Sequence, residues 1–129
     1  MNERKRILLV EDYPANILVA GTLLEQFGYE YDVVNTGIEA LKKFSEKKYD
    51  LILMDVQMHG MGGLEATQHI RRMEEEKGLP RTPIMAMTAH AQMKDREKCL
   101  EAGMDDYVSK PFNTTEWSDK LRTLTKRSD

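Results

Sequence analysis

Hydrophobic positions follow two alternating patterns along this chain. Short apolar runs of strand length occur five times, and the segments between them repeat apolar residues at helical spacing. The runs are Arg6–Val10, Tyr31–Val34, Leu51–Met54, Ile84–Met87 and Tyr107–Val108. A strand followed by a helix, five times over, predicts an α/β fold with a parallel sheet that helices cover on both faces.

Residues that favour helix ends mark the boundaries between these segments. Four helices are predicted to begin at Pro14, near Gly37, after Gly63 and after the caps Asn113 and Thr114, and the fourth helix in chain order, which carries Met93 and Leu100, is predicted to end before Gly103. In the second helix we expect Ile38, Leu41 and Phe44 to face the core. In the third helix we expect the acidic run that begins at Glu74 to be a solvated end.

Composition narrows the class of protein. The chain has 129 residues, of which 40% are hydrophobic and 32% charged, which favours one domain with one core. Its net charge of -3 suits direct binding of nucleic-acid phosphates poorly. The lone Cys99 excludes an internal disulfide, and no apolar run reaches the length of a membrane span, so we expect a cytoplasmic protein.

Polar side chains stand where the predicted strands end. Glu11 and Asp12 follow the first strand, Asp55 the third, Thr88 the fourth and Lys110 the fifth. Right-handed crossovers bring the carboxyl ends of parallel strands to one edge of a sheet. Clustered carboxylates repel one another, and oxygen ligands of this kind suit Mg²⁺. A carboxylate at a metal can also form an acyl phosphate, so these residue types fit metal-assisted phosphorylation of an aspartate.

Five motifs and their spacing make a specific resemblance: ILLVED, LILMDVQM, GLEATQHIR, IMAMTA and EAGMDDYVSKPF. From about Lys5 to Thr125 the chain resembles the receiver domain of two-component response regulators. The stretch VEDYPANILVA, followed by MDVQM, looks most like receivers of hybrid sensor histidine kinases. The resemblance implies a single receiver domain over residues 1–129, with a doubly wound, flavodoxin-like (βα)5 fold and strand order 2-1-3-4-5.

The resemblance also implies roles by position. Asp55 matches the phosphoacceptor, and Thr88 and Lys110 match the groups that bind the phosphoryl oxygens, with Lys110–Pro111 matching a bond that is cis in the family. The implied metal ligands are Glu11, Asp12, Asp55 and the backbone carbonyl of Gln57, for Mg²⁺ with Mn²⁺ as the alternative. Thr88 and Tyr107 match the switch pair, and Gln57 and His90 the residues that tune dephosphorylation.

The implied function is signalling. A histidine kinase or histidine phosphotransfer domain would donate a phosphoryl group to Asp55, and the surface of the fourth helix, fifth strand and fifth helix would then change. Such a receiver is not an enzyme, because it catalyses only its own phosphorylation and dephosphorylation. We expect it to bind no nucleic acid directly and to insert into no membrane. Dimerisation on phosphorylation is an open alternative. Whether the receiver stands alone or is part of a membrane sensor kinase stays open.

Three positions depart from the family pattern: Tyr13, His59 and Gly62. We interpret His59 as a loop substitution for proline, since hard Mg²⁺ sites rarely use imidazole. The Gly62–Gly63 pair is expected to loosen the loop. Among other classes, an aspartate-nucleophile phosphatase needs an acid where Gln57 stands. A flavodoxin-type module needs a phosphate loop where Glu11 and Asp12 stand, and no P-loop motif is present.

Overall fold

The computed structural model describes residues 5–56, 60–88, 93–109 and 113–125, with side chains from residue 96 onward in the third of these segments. Five residues with predicted roles lie outside them: Gln57, His59, His90, Lys110 and Pro111. The strands are β1 (Arg6–Val10), β2 (Glu30–Val34), β3 (Leu51–Asp55), β4 (Ile84–Thr88) and β5 (Asp106–Ser109). The helices are α1 (Pro14–Gln26), α2 (Gly37–Glu46), α3 (Gly63–Lys77), α4 (Met93–Ala102) and α5 (Thr114–Thr125).

The strands form one parallel sheet in the order β2-β1-β3-β4-β5, which confirms the predicted fold and strand order. Their carboxyl ends are in register. Val10 pairs with both Val34 and Met54, and Thr88 of β4 pairs with Ser109 of β5. The last residues of the five strands therefore make one edge, called the carboxyl edge below.

Helices cover both faces of the sheet because successive strand residues point in opposite directions. On one face, Leu8 and Val10 pack with buried residues of α2, α3 and α4. On the other, Ile7 and Leu9 pack with buried residues of α1 and α5, including Trp117. No residue of Leu51–Met54 is exposed, as expected for a central strand buried on both faces.

Side chains cap two helices at their amino ends, and the sequence indicated one of these caps. The Thr36 hydroxyl accepts a hydrogen bond from the Glu39 amide at the start of α2. The Asn113 side chain accepts one from the Glu116 amide at the start of α5, which confirms Asn113 as a cap. The third helix ends at Gly78 with a φ of +64°, a left-handed conformation that favours glycine. Among the helices of the described segments, none has both the length and the apolar character to span a membrane.

Two burial predictions were wrong. Ile38 is 65% exposed, because the buried stripe of α2 runs through Gly37, Ala40 and Phe44 instead. Glu74 is buried rather than solvated. Its carboxylate accepts hydrogen bonds from the Arg71 guanidinium at 2.9 Å and from the Thr82 amide at 2.7 Å, which compensate for its lost hydration.

An ion cluster lies on the outer strand β2, where Asp32 meets three neighbours. Tyr49 and Lys47 donate hydrogen bonds to its carboxylate at 2.7 and 3.1 Å, and Arg6 lies 3.7 Å away. Burial by itself would raise the pKa of Asp32, but these three groups together hold it below its ordinary value of 3.8. Burial and the Asp32 hydrogen bond raise the pKa of Tyr49. Charged side chains of this kind also protect an edge strand from pairing with other chains.

Candidate functional site

Three carboxylates meet at the carboxyl edge. Glu11 and Asp12 follow β1, Asp55 ends β3, and β1 and β3 are neighbours in the sheet. One oxygen from each carboxylate lies within 4.8 Å of the others. Glu11 is 1% exposed and Asp55 4%, whereas Asp12 is half-buried. The structure thus brings together three of the residues that the sequence singles out, and their roles as ligands stay predictions.

Backbone contacts fix the position of Glu11. Its amide donates to the Val34 carbonyl at 3.0 Å, which continues the pairing of β1 with β2 by one residue. Its carbonyl accepts a hydrogen bond from the Asn35 side chain at 3.0 Å. Its carboxylate accepts one from the Tyr13 amide at 3.1 Å, next to the amino end of α1, where the helix dipole favours negative charge.

The first residue of α3 packs closely against the backbone of Asp55 and Val56. Gly63, the first residue of α3, donates its amide to the Val56 carbonyl at 3.2 Å. A Cβ on Gly63 would lie against the Asp55 carbonyl oxygen, closer than real Cβ atoms come to any neighbour. Gly63 therefore permits tight packing of α3 against Asp55, and the expectation that the Gly62–Gly63 pair loosens the loop stays a prediction. Gly62 has an extended backbone, with φ of -77° and ψ of 170°, that any residue adopts.

Thr88 stands one position beyond the residue that pairs with Asp55. Asp55 pairs with Met87, so Thr88 ends the neighbouring strand at the same edge, and its side chain is buried. Lys110 follows Ser109, the residue that pairs with Thr88. Like Gln57 and His90, Lys110 lies outside the residues that the structure describes. Of the seven residues predicted to bind the metal, bind the phosphoryl group or tune dephosphorylation, four are therefore placed at the carboxyl edge.

The donor set of this cluster suits a hard divalent cation. Two negative charges at 4.8 Å, the upper limit on the oxygen separations in this group, repel each other by roughly 3 kcal/mol at an effective dielectric constant of about 20. Every candidate ligand atom in Glu11, Asp12 and Asp55 is a carboxylate oxygen, with no imidazole or thiolate in the group. Mg²⁺ prefers such oxygens and keeps several waters, which leaves room for a phosphoryl oxygen. The residues present therefore fit Mg²⁺.

Sequence reasoning missed an exposed apolar surface beside the carboxylates. Tyr13, Leu18 and Val19 are 60%, 70% and 47% exposed, and we call these three residues the apolar surface. Tyr13 immediately precedes α1, and Leu18 and Val19 lie within its first two turns, at the end of the helix nearest the carboxyl edge. The sequence carries a signal for this surface, since no charged residue occurs between Pro14 and Leu24.

Tyr107 lies in β5, half-buried, and packs against the core on the α2–α3–α4 face. Two cations from different helices contact its ring: Arg96 of α4 and Lys120 of α5. The sequence predicts Tyr107 as a switch residue, but nothing in its local pattern indicates these two neighbours.

Comparisons with known proteins agree with this geometry. A family model described as the response regulator receiver domain matches residues 7–122. The sensor protein GacS of Pseudomonas syringae pv. syringae is 45% identical over 108 residues, which cover 84% of this chain and 12% of that protein. The chain spans only 12–14% of the length of the first three curated relatives.

Two solved structures are similar over nearly the whole chain. The receiver domain of the sensor histidine kinase PA1611 from Pseudomonas aeruginosa PAO1 holds a magnesium ion in its active site cleft. It is 40% identical, with a TM-score of 0.86 and coverage of 96% of this chain and 99% of that one. The receiver domain of Ssk1 from Saccharomyces cerevisiae, in complex with the histidine phosphotransfer protein Ypd1, is 29% identical, with a TM-score of 0.90 and coverage of 98% and 92%.

Proposed function

The chain belongs to the response regulator receiver family of two-component signalling, and from this premise we propose that Asp55 accepts a phosphoryl group from a partner's phosphohistidine. The observation that carries the proposal is the meeting of Glu11, Asp12 and Asp55 within 4.8 Å at the carboxyl edge. Asp55 is the only one of the three within a strand, where pairing with Met87 limits its movement. It is therefore the best oriented nucleophile of the group.

In the proposed reaction one carboxylate oxygen of Asp55 attacks phosphorus. The new phosphorus–oxygen bond forms as the phosphorus–nitrogen bond of the donor breaks, and the donor imidazole keeps the electron pair of that bond. The product is an acyl phosphate on Asp55 and a free histidine on the partner. The rigid, buried strand behind Asp55 holds the carboxylate in place for this attack, which lowers the entropic part of the barrier.

Glu11, Asp12 and Asp55 would hold Mg²⁺, with the Gln57 carbonyl completing the set by resemblance. Bound there, Mg²⁺ would neutralise charge on the carboxylates and on the phosphoryl oxygens. Thr88 would donate its hydroxyl hydrogen to one phosphoryl oxygen, and Lys110 would pair with another. Gln57 and His90 would border the path of the water that later hydrolyses the acyl phosphate. Mn²⁺ is the alternative metal.

Phosphorylation would then be transmitted through Thr88 and Tyr107. Once Thr88 turns toward the phosphoryl group, the Tyr107 ring gains room on the inner side of β5. The surface formed by α4, β5 and α5 changes as the ring moves, and either a partner or a second copy of the chain would recognise the change.

We propose that the phosphohistidine donor, a histidine kinase or a histidine phosphotransfer domain, docks on the apolar surface. Large exposed apolar side chains that lie together mark protein interaction sites. Leu18 and Val19 stand one to two turns along α1 from Asp12, so a protein seated on them would reach the carboxyl edge. The apolar surface needs no matching charge, which suits a partner with an apolar face.

A phosphorylation assay tests the chemistry. Incubation with acetyl phosphate and Mg²⁺, followed by Phos-tag electrophoresis, should give a shifted band that disappears in Asp55→Asn and on chelation of the metal. Asp32→Asn is the matched control, because it makes the same change of carboxylate to amide on β2, in the ion cluster rather than at the metal site. A shifted band that persists in Asp55→Asn would remove Asp55 from the reaction.

A second assay tests the docking surface. Leu18→Lys should abolish transfer from a panel of phosphorylated histidine phosphotransfer domains, while reaction with acetyl phosphate continues. Thr22→Lys, one turn further along α1 and also exposed, places the same charge outside the apolar surface. Equal transfer to the two variants would show that the donor does not dock on Leu18.

A further inference from the structure

Two positive charges converge on the ring of Tyr107. The ammonium nitrogen of Lys120 lies 4.7 Å from the centre of the ring, and the guanidinium carbon of Arg96 lies 5.4 Å from it. Both distances are within the range in which a cation is attracted to the negative face of an aromatic ring. Because Arg96 belongs to α4 and Lys120 to α5, the ring joins the two helices that flank β5.

Lys120 is held in place by groups other than the ring. Its ammonium donates a hydrogen bond to the backbone carbonyl of Tyr107, lies 3.3 Å from an Asp106 carboxylate oxygen, and lies 3.7 Å from one of Glu116. Asp106 in turn accepts a hydrogen bond from the Tyr107 amide at 2.8 Å. With these oxygens around it, the ammonium cannot follow the ring if the ring turns inward.

Arg96 cannot follow the ring either, for a different reason. Its side chain is exposed, and the inner side of Tyr107 is the apolar core that contains Ile84, Ala86 and Cys99. Moving a guanidinium into that core would remove its hydration, and the residues that the structure describes in the core are apolar and offer no compensating charge. An inward turn of the ring therefore separates it from both cations.

We propose that Arg96 and Lys120 are positioning residues that hold the Tyr107 ring in its half-buried position and set how readily it turns inward. This inference rests on the proposed function for the meaning of the turn, since Tyr107 is the predicted switch residue. The positioning itself is a property of the unphosphorylated protein. The two cations raise the threshold that phosphorylation of Asp55 must overcome.

The size of the effect follows from the strength of such contacts. A cation over a tyrosine ring at a partly exposed site favours the contact by about two- to fivefold in an equilibrium constant. Removing one cation should raise the ratio of inward to half-buried ring by about that factor. The two cations share one ring, so their effects need not multiply, and removing both should raise the ratio by at least the factor for one cation.

The test uses the full chain with 3-fluorotyrosine at position 107 and measures the ring's populations by ¹⁹F NMR without any phosphoryl donor. Arg96→Gln, Lys120→Met and the double variant should increase the inward population as stated, and Arg96→Lys should restore it. Arg122→Gln is the control, because it removes an exposed arginine of α5 that contacts Ser118 and Asp119 instead of the ring. Lys120→Met also loses contacts to Asp106 and Glu116. If Lys120→Met does not fold, the result for Arg96→Gln tests the inference.

The outcomes separate this inference from the proposed function. If neither Arg96→Gln nor the double variant changes the ring populations at least twofold, or more than Arg122→Gln does, Arg96 and Lys120 do not position the ring. That result would leave phosphorylation of Asp55 untouched, because the Phos-tag assay measures it independently. If the populations shift as expected but no phosphorylated band forms, the positioning is real and the assignment of Asp55 is wrong.

Discussion

Replacing Arg71 with methionine is expected to destabilise the fold strongly, because this side chain connects several elements. The guanidinium of Arg71, on α3, donates to the Glu74 carboxylate at 2.9 Å and to the Asp105 carboxylate at 2.9 Å. It also donates to the carbonyls of Thr82 at 2.8 Å and Gly103 at 2.9 Å. One side chain thus joins α3 to the starts of β4 and β5 and to the end of α4.

The magnitude follows from how deeply these groups are buried. The side chains of Arg71, Glu74 and Asp105 are 15%, 6% and 10% exposed, so the variant leaves two nearly buried carboxylates without this partner. Removing one member of a buried ion pair costs about 3–5 kcal/mol. Arg81 still lies 3.1 Å from Asp105, which favours the lower end, about 3 kcal/mol. For a chain of this size the midpoint of thermal unfolding should fall by roughly 10 °C.

Guanidinium denaturation followed by circular dichroism measures the change in unfolding free energy. Arg122→Met is the matched control, because its pair with Asp119 is 4.0 Å long and more than half exposed, and it should cost less than about 0.5 kcal/mol. Adding Glu74→Gln to Arg71→Met should restore about 1 kcal/mol, since it removes the buried negative charge and keeps an oxygen to accept from the Thr82 amide. A loss below about 1 kcal/mol in Arg71→Met, or no recovery in the double variant, would refute the reasoning.

Three further predictions follow from single contacts. Gly63→Ala should destabilise the fold by about 1–3 kcal/mol in urea, because its Cβ meets the Asp55 carbonyl, whereas Gly62→Ala should be neutral or slightly stabilising. Similar values for the two variants would contradict the close approach. Since the folded-state pKa of Asp32 is below the ordinary 3.8, its stabilisation is complete above that pH and is lost as the pH falls through the folded value. As the pH falls below 3.8, the unfolding free energy of Asp32→Asn should therefore decrease less than that of the parent protein. Parallel curves of unfolding free energy against pH for the two proteins would contradict this prediction. Glu11→Gln should weaken Mg²⁺ binding by about 10- to 100-fold in calorimetry, and unchanged affinity would exclude Glu11 from the site.

Much of the fold could be predicted because burial requires apolar residues at regular spacing along the sequence. Strands covered on both faces need continuous apolar runs, so Leu51–Met54 and Ile84–Met87 were recognisable, each one residue short of the observed strand. Helix ends need particular backbone groups, so Pro14 and Asn113 were recognisable as boundaries. Ile38 shows the limit of this signal, because a short amphipathic helix allows two stripes that differ by one position, and packing selects between them.

The candidate site could likewise be predicted only in part from the sequence. Parallel topology places strand ends together, and the sequence therefore indicated that Glu11, Asp12, Asp55 and Thr88 share one edge. The distance between the carboxylates, the burial of Glu11 and the apolar surface beside them depend on how α1 and α3 pack onto the sheet. Gly63 illustrates this dependence. A side chain is excluded at this position because a Cβ would collide with the Asp55 carbonyl, and not because of the backbone angles of Gly63 itself.

The sequence by itself determined the order of elements, the parallel sheet and the residue types at its carboxyl edge, because these follow from patterns within ten to fifteen residues of chain. Only the tertiary structure decided which distant side chains meet. Arg71 and Asp105 are 34 residues apart along the chain, yet they form a short ion pair. Arg96 and Lys120 similarly meet at Tyr107 from two helices. Such pairings depend on strand register and helix packing, which set distances that no local pattern records.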